Sequence, residues 1–181
     1  MKLSQRAGQL TVRIGAAAVL VGAAALATTA ASAAPARPAT PSCISSNMRV
    51  WTASQGDGTA GAVYYELEIS NIGGHACTLF GYPGVSAVTG NGHQVGLPAS
   101  HSGPKSLVTL PAGGTAHVVL KITDPGAVCS NPVTGNQLKV YAPNQFGAET
   151  TPFQVQVCPH NVTMHVDAVH AQAGIPDYSN Q

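Results

Sequence analysis

The chain has 181 residues, with eight lysines and arginines against seven aspartates and glutamates and a formal net charge of +1. Charged residues make up 8% and aromatic residues 5% of it, while glycine (20) and proline (13) are frequent. So sparse a charge leaves no basic surface for nucleic acid and no footprint for an acidic membrane, and the length suits one domain.

In chain order, the first feature is an export signal. Lys2, Arg6 and Arg13 give a positive start, Ile14 to Leu26 is apolar and Ala-rich, and Ala31-Ser32-Ala33 offers the small-x-small pattern of a cleavage site. A Sec-type signal peptide over residues 1–33, cleaved after Ala33, is expected. The apolar run falls short of the ~20 strongly apolar residues of a span, so no transmembrane anchor is expected in the mature form. Arg6 and Arg13 stand too far apart for a twin-arginine signal, and Cys43 follows Thr40-Pro41-Ser42 rather than the small residues that precede a lipidated cysteine. Taking residues 1–33 from 181 leaves 148, in which five basic residues face seven acidic ones for a net charge of −2. The expected location is secreted, with loose association with the wall as the alternative.

Residues 34–42 are Ala, Pro, Thr, one Ser and one Arg, a flexible leader by composition. A single domain is expected over 43–170, with a polar tail over 171–181. Within the domain, apolar residues recur with period two in short runs. Val63, Tyr65, Leu67 and Ile69 alternate with Tyr64, Glu66, Glu68 and Ser70, and Ala116, Val118, Leu120 and Ile122 alternate with His117, Lys121 and Thr123. Weaker strands are predicted over Met48–Thr52, Cys77–Tyr82, Val85–Thr89, His93–Leu97, Leu107–Leu110, Gln137–Tyr141, Phe153–Val157 and Val162–Val169. Turn residues separate them at 71–74, 90–92, 111–114 and 131–136. No window of twelve residues carries helical spacing. Nine or ten short strands with one apolar face each predict an immunoglobulin-like Greek-key β-sandwich, with a barrel as the alternative.

Cys43, Cys77, Cys129 and Cys158 all follow the export signal, so they form a disulfide framework. Cys43 opens the first strand and Cys77 follows the turn after the next long one, so antiparallel neighbours would bring both to one end of the sandwich. Cys129 and Cys158 each follow a strand. The preferred pairing is therefore Cys43 with Cys77 and Cys129 with Cys158, and the other two connectivities stay open.

The run Cys77-Thr78-Leu79-Phe80-Gly81-Tyr82-Pro83-Gly84, preceded by Asn71 and followed by Leu110-Pro111-Ala112-Gly113-Gly114, resembles the secreted bacterial family catalogued as domain of unknown function 4232. The resemblance extends from Cys43 to about Val169. It implies an exported β-sandwich of actinomycete-type bacteria, with Asn71, Cys77, Thr78, Leu79, Gly81, Tyr82, Pro83 and Gly84 as family positions, and it brings no activity. Members often carry a lipidated cysteine, which this chain lacks.

Within the run, Gly81 and Gly84 allow backbone angles or close contacts that a Cβ would block. Tyr82 offers a ring to cap the core and a hydroxyl to anchor it, and Tyr82-Pro83 is a place to suspect a cis bond.

No catalytic residues are assigned. Gly84-Val85-Ser86-Ala87-Val88 lacks the second glycine of a nucleophile elbow, and Ser86 reads as a strand residue. Gly90-Asn91-Gly92 has no helix after it and reads as a hairpin turn.

Seven histidines, His75, His93, His101, His117, His160, His165 and His170, raise the question of a metal. His160, His165 and His170 on one strand would alternate faces and spread over ~33 Å, so no metal residues or cofactors are assigned. Met48 and Met164 are the soft donors that a copper carrier would use. The aromatic residues offer Tyr64 and Tyr141 to outer faces.

The chain is thus expected to be an extracellular binding or cell-envelope structural module with an unknown extracellular ligand, and not an enzyme. A copper-type metal carrier or a hydrolase with a site assembled from loops is the alternative.

Overall fold

The computed structural model describes residues 39–52 and 55–175. The expected signal peptide, the leader as far as residue 38 and the tail from residue 176 lie outside the described residues. The described part is all-β. Its strands are β1 (Met48–Thr52), β2 (Asp57–Thr59), β3 (Ala62–Asn71), β4 (Cys77–Phe80), β5 (Gly84–Val88), β6 (Ser100–Ser102), β7 (Leu107–Leu110), β8 (Thr115–Thr123), β9 (Val133–Tyr141), β10 (Ala148–Val157) and β11 (Met164–Asp167).

Six strands form one sheet in the order β1-β3-β8-β11-β6, with β2 also paired to β3; β10-β9-β5 form a second sheet and β4-β7 a third. Only β11 and β6 run parallel among these pairs. Alternation drives the layering. On β3 and β8 the residues Leu67, Ile69, Ala116, Val118 and Leu120 are fully buried, and the register sets Leu67 against Val118 and Ile69 against Ala116. They meet Leu138 and Val140 of β9, Val155 and Val157 of β10, Val85 and Ala87 of β5, and Leu79, Val108 and Leu110 of β4 and β7 in one core cluster. A six-stranded layer packed on the two smaller sheets is the expected sandwich architecture.

Both disulfides form as preferred from the sequence, Cys43 with Cys77 and Cys129 with Cys158. β1 and β3 are antiparallel neighbours, with Met48 opposite Asn71. Cys43 also binds β4 through its backbone, its amide donating to the Thr78 carbonyl while the Thr78 amide donates to that of Pro41.

Asn71 is 1% exposed and joins two turns. Its Nδ2 donates to the carbonyls of His75 and Pro111, its Oδ1 accepts from the Gly73 amide, and its backbone exchanges hydrogen bonds with Gly113 and Gly114. Gly113, at φ 77°, supplies the left-handed residue that the second turn requires.

Four local expectations need correction. His93–Leu97 forms no strand, only a bridge at Gln94. Gly96 there has φ 67°, and a Cβ on it would meet Val157 at 2.7 Å. β9 starts at Val133, so residues 133–136 belong to a strand and not to a turn. β2 and β6 escape prediction because they have no buried apolar residue to mark them. The Tyr82-Pro83 bond is trans.

Candidate functional site

Odd positions of β3 point into the core, which leaves Tyr64, Glu66, Glu68 and Ser70 on the outer face of the six-stranded sheet. The register then assembles rows across strands. Trp51 lies opposite Glu68, and Glu68 opposite His117. Tyr64 lies opposite Lys121, and Lys121 opposite His165.

β11 carries the row further through a bulge. Val166 pairs with Leu120, and the next bridge is His170 with His117, so four residues of one strand span three of the other. The gap is closed by a side chain: the Val119 amide donates to Asp167 Oδ1 at 2.6 Å. Burial raises the Asp167 carboxyl above its ordinary pKa, against the opposing pull of the Val119 amide and of His170. The extra residue brings His170 beside His117, with ring centroids 6.3 Å apart.

Around this bulge the side chains converge. One donor atom from each of Glu66, Glu68 and His117 lies within 4.8 Å of the others, and all three residues are half-buried, a set able to hold a cation. His117 Nδ1 is 2.6 Å from Glu66 Oε1. Residues 171–175 run back over the same face, where the Gly174 amide donates to Glu66 Oε1 at 2.7 Å and His170 Nδ1 meets the Gln172 carbonyl at 2.7 Å.

Two units along the strands, Ser100 Oγ and His165 Nδ1 are hydrogen-bonded at 2.5 Å. A nucleophile and base of a hydrolase would have this contact. However, the imidazole needs a carboxylate to stabilise its charged form. His165 instead has its pKa lowered, by burial first and by the Lys121 charge second. Protonation at that ring is opposed where catalysis would need it.

The other histidines do not join the cluster: His75, His93, His101 and His160 are exposed. Of His160, His165 and His170 only His165 lies in a strand, within the stretch Val162–Val169 predicted for it. Met48 and Met164, the soft donors of the copper alternative, are 2% and 1% exposed in the core. Ser86 sits in β5 opposite Lys139.

The residues that carry the resemblance are architectural in their contacts. Cys77, Thr78 and Leu79 pair with β7. Gly81 has φ 112° and its carbonyl accepts from Val169. The expectation at Gly84 is corrected: a Cβ there would meet the Tyr141 side chain at an ordinary 3.6 Å, so no close contact requires glycine. Tyr82 does not cap the core as expected. Its ring stacks on His101 at 4.8 Å with Lys105 above it, and its hydroxyl donates to the Gly103 carbonyl, so it holds the 100–105 segment.

Glu66 and Glu68 were not singled out by the sequence as site residues, and His170 only as one of seven histidines. The first two had a signal, two carboxylates on the outer face of the clearest strand; His170 had none without the bulge.

The model of a family described as "Domain of unknown function (DUF4232)" matches residues 43–172. No curated protein matches the chain. Among solved structures, a mutant β-glucosidase from Listeria innocua in complex with laminaribiose is 18% identical, with 62% of this chain and 16% of that chain covered and a TM-score of 0.34. The β-glucosidase from Listeria innocua in complex with isofagomine is 17% identical, with 64% and 16% covered and a TM-score of 0.34.

Proposed function

The chain belongs to the family described as domain of unknown function 4232, and from that premise we propose that it is an exported binding module, acting outside the cell or in its envelope. Its ligand surface is the outer face of the six-stranded sheet. The observation that carries this is the convergence of Glu66, Glu68 and His117 there, half-buried on rigid strands. A sheet face holds side chains with little freedom to move, which suits binding by a pre-formed site. Trp51, 54% exposed and opposite Glu68, adds an aromatic edge to the same surface.

Export is supported by the reading of residues 1–33 as a Sec-type signal peptide, of 34–42 as a leader and of 43–170 as the domain. Two disulfides with no free cysteine among the described residues fit an oxidising compartment. Among the described residues no helix is long and apolar enough to cross a membrane.

Amide NMR on the oxidised chain tests the face. The secreted protein is titrated with divalent cations and, separately, with soluble fragments of bacterial envelope polysaccharide. Any ligand that binds is expected to shift the amides around Trp51, Tyr64, Glu68 and His117. Shifts centred on β5, β9 and β10, or turnover of an added substrate at Ser100 and His165, would contradict it.

A further inference from the structure

Resting on that reading of the outer face, we propose that Glu66, Glu68 and His117 bind a divalent transition-metal ion of the zinc type, with His170 as the neighbouring fourth donor.

The first ground is the donor set. Three ligand atoms, two carboxylate and one imidazole, lie within 4.8 Å of one another on two hydrogen-bonded strands. Zinc takes nitrogen and oxygen donors at ~2.0–2.2 Å, which places ligand atoms roughly 3.4 Å apart in a tetrahedral shell. Small rotations of the two glutamates reach that spacing. The mixture of donors decides the class of ion: calcium and magnesium favour oxygen alone, and Cu(I) favours sulfur.

The second ground is independent of the cluster's composition. His117 Nδ1 and His170 Nε2 are buried atoms without an aligned hydrogen-bond partner. For His117 this holds although Glu66 Oε1 is only 2.6 Å away, a contact too poorly directed to be a hydrogen bond. In His170 the Gln172 carbonyl can only accept, so Nδ1 carries a proton, while Nε2 has no hydrogen bond and only Asp167 Oδ2 at 3.6 Å beside it. A ring nitrogen fixed by a backbone carbonyl while the other makes no hydrogen bond is the arrangement that metal-ligating histidines adopt.

The third ground is charge. Glu66, Glu68 and Asp167 bring three carboxylates to this face, and the ion pairs among the described residues are Glu66 with His117 and Asp167 with His170, none of them to lysine or arginine. A divalent cation supplies the missing positive charge.

The experiment is a zinc titration of the oxidised, chelator-treated secreted chain, followed by calorimetry and by the visible spectrum of the cobalt-substituted protein. One ion per chain is expected, at micromolar affinity or tighter, with the strong cobalt bands of a four-coordinate site. Glu68→Gln and His117→Gln are each expected to weaken zinc at least tenfold, and His170→Gln severalfold. Their metal-free melting curves show that each variant is folded, and Glu66→Gln serves if one is not. Calcium and magnesium at the same concentration are expected to leave the protein unaltered. No zinc binding at 1 mM, or binding that folded variants leave unchanged, overturns the proposal. If zinc fails while a polysaccharide fragment still shifts Trp51 and Glu68, the metal is wrong and the ligand face stands; if both bind elsewhere, the face itself is wrong.

Discussion

Reduction of both disulfides is expected to lower the melting temperature of the domain by roughly 20 °C or to abolish cooperative unfolding. The bridges close loops with sequence separations of 34 and 29 residues. Loops of that size correspond to about 3–4 kcal/mol each in the chain-entropy model. Together they rival the ~5–15 kcal/mol that holds a whole domain folded. Their positions add to the effect. Cys43 ties the segment entering the domain to β4, and Cys158, fully buried at the end of β10, ties that strand to the turn after β8. Differential scanning calorimetry with and without reductant checks this, and a shift of less than two degrees would contradict it.

Asn71→Leu is expected to destabilise the domain by about 2–4 kcal/mol although leucine is similar in volume and apolar. The substitution leaves the Gly73 amide and the carbonyls of His75 and Pro111 without the partner they now have. The longer bond from Asn71 Nδ2 to the Leu110 carbonyl is buried, and leaving a buried group without its bond costs about 1–3 kcal/mol. Leu110, 2% exposed beside this turn, would also lose its fixed neighbour. Equilibrium denaturation measures the loss. A change under 1 kcal/mol would mean that the two turns are held by the backbone bonds to Gly113 and Gly114 alone.

Asn71 also shows what a sequence pattern carries. It stands forty residues before Pro111, and a single buried amide joins two segments that the resemblance had already grouped together. β3 and β8 were legible for a different reason: each alternates along most of its length, β8 broken only where Val119 is buried between Val118 and Leu120. β2 and β6 were not, since every residue of Asp57-Gly58-Thr59 is exposed and Ser100-His101-Ser102 buries none fully. Backbone pairing at an edge makes those strands, and pairing leaves no mark on hydrophobicity.

The candidate site was legible only in pieces. Glu66, Glu68 and His117 each declared an outer face, but β3 and β8 are not consecutive, so no hairpin turn fixed which residue of one faces which of the other. The predicted strand over Val162–Val169 stopped short of His170 and gave no sign of its return to β8. The chain instead turns through Asp167 and sets His170 beside His117, a placement made by one bulge residue and one carboxylate-to-amide bond.

The most direct test is the location of the ion. Crystals of the oxidised secreted chain grown with zinc, with diffraction recorded on both sides of the zinc absorption edge, are expected to show one strong anomalous peak between the Glu66 and Glu68 carboxylates and the His117 ring, within reach of His170. A zinc-saturated crystal with no peak there, or with peaks only at the exposed His75, His93, His101 or His160, would contradict the account.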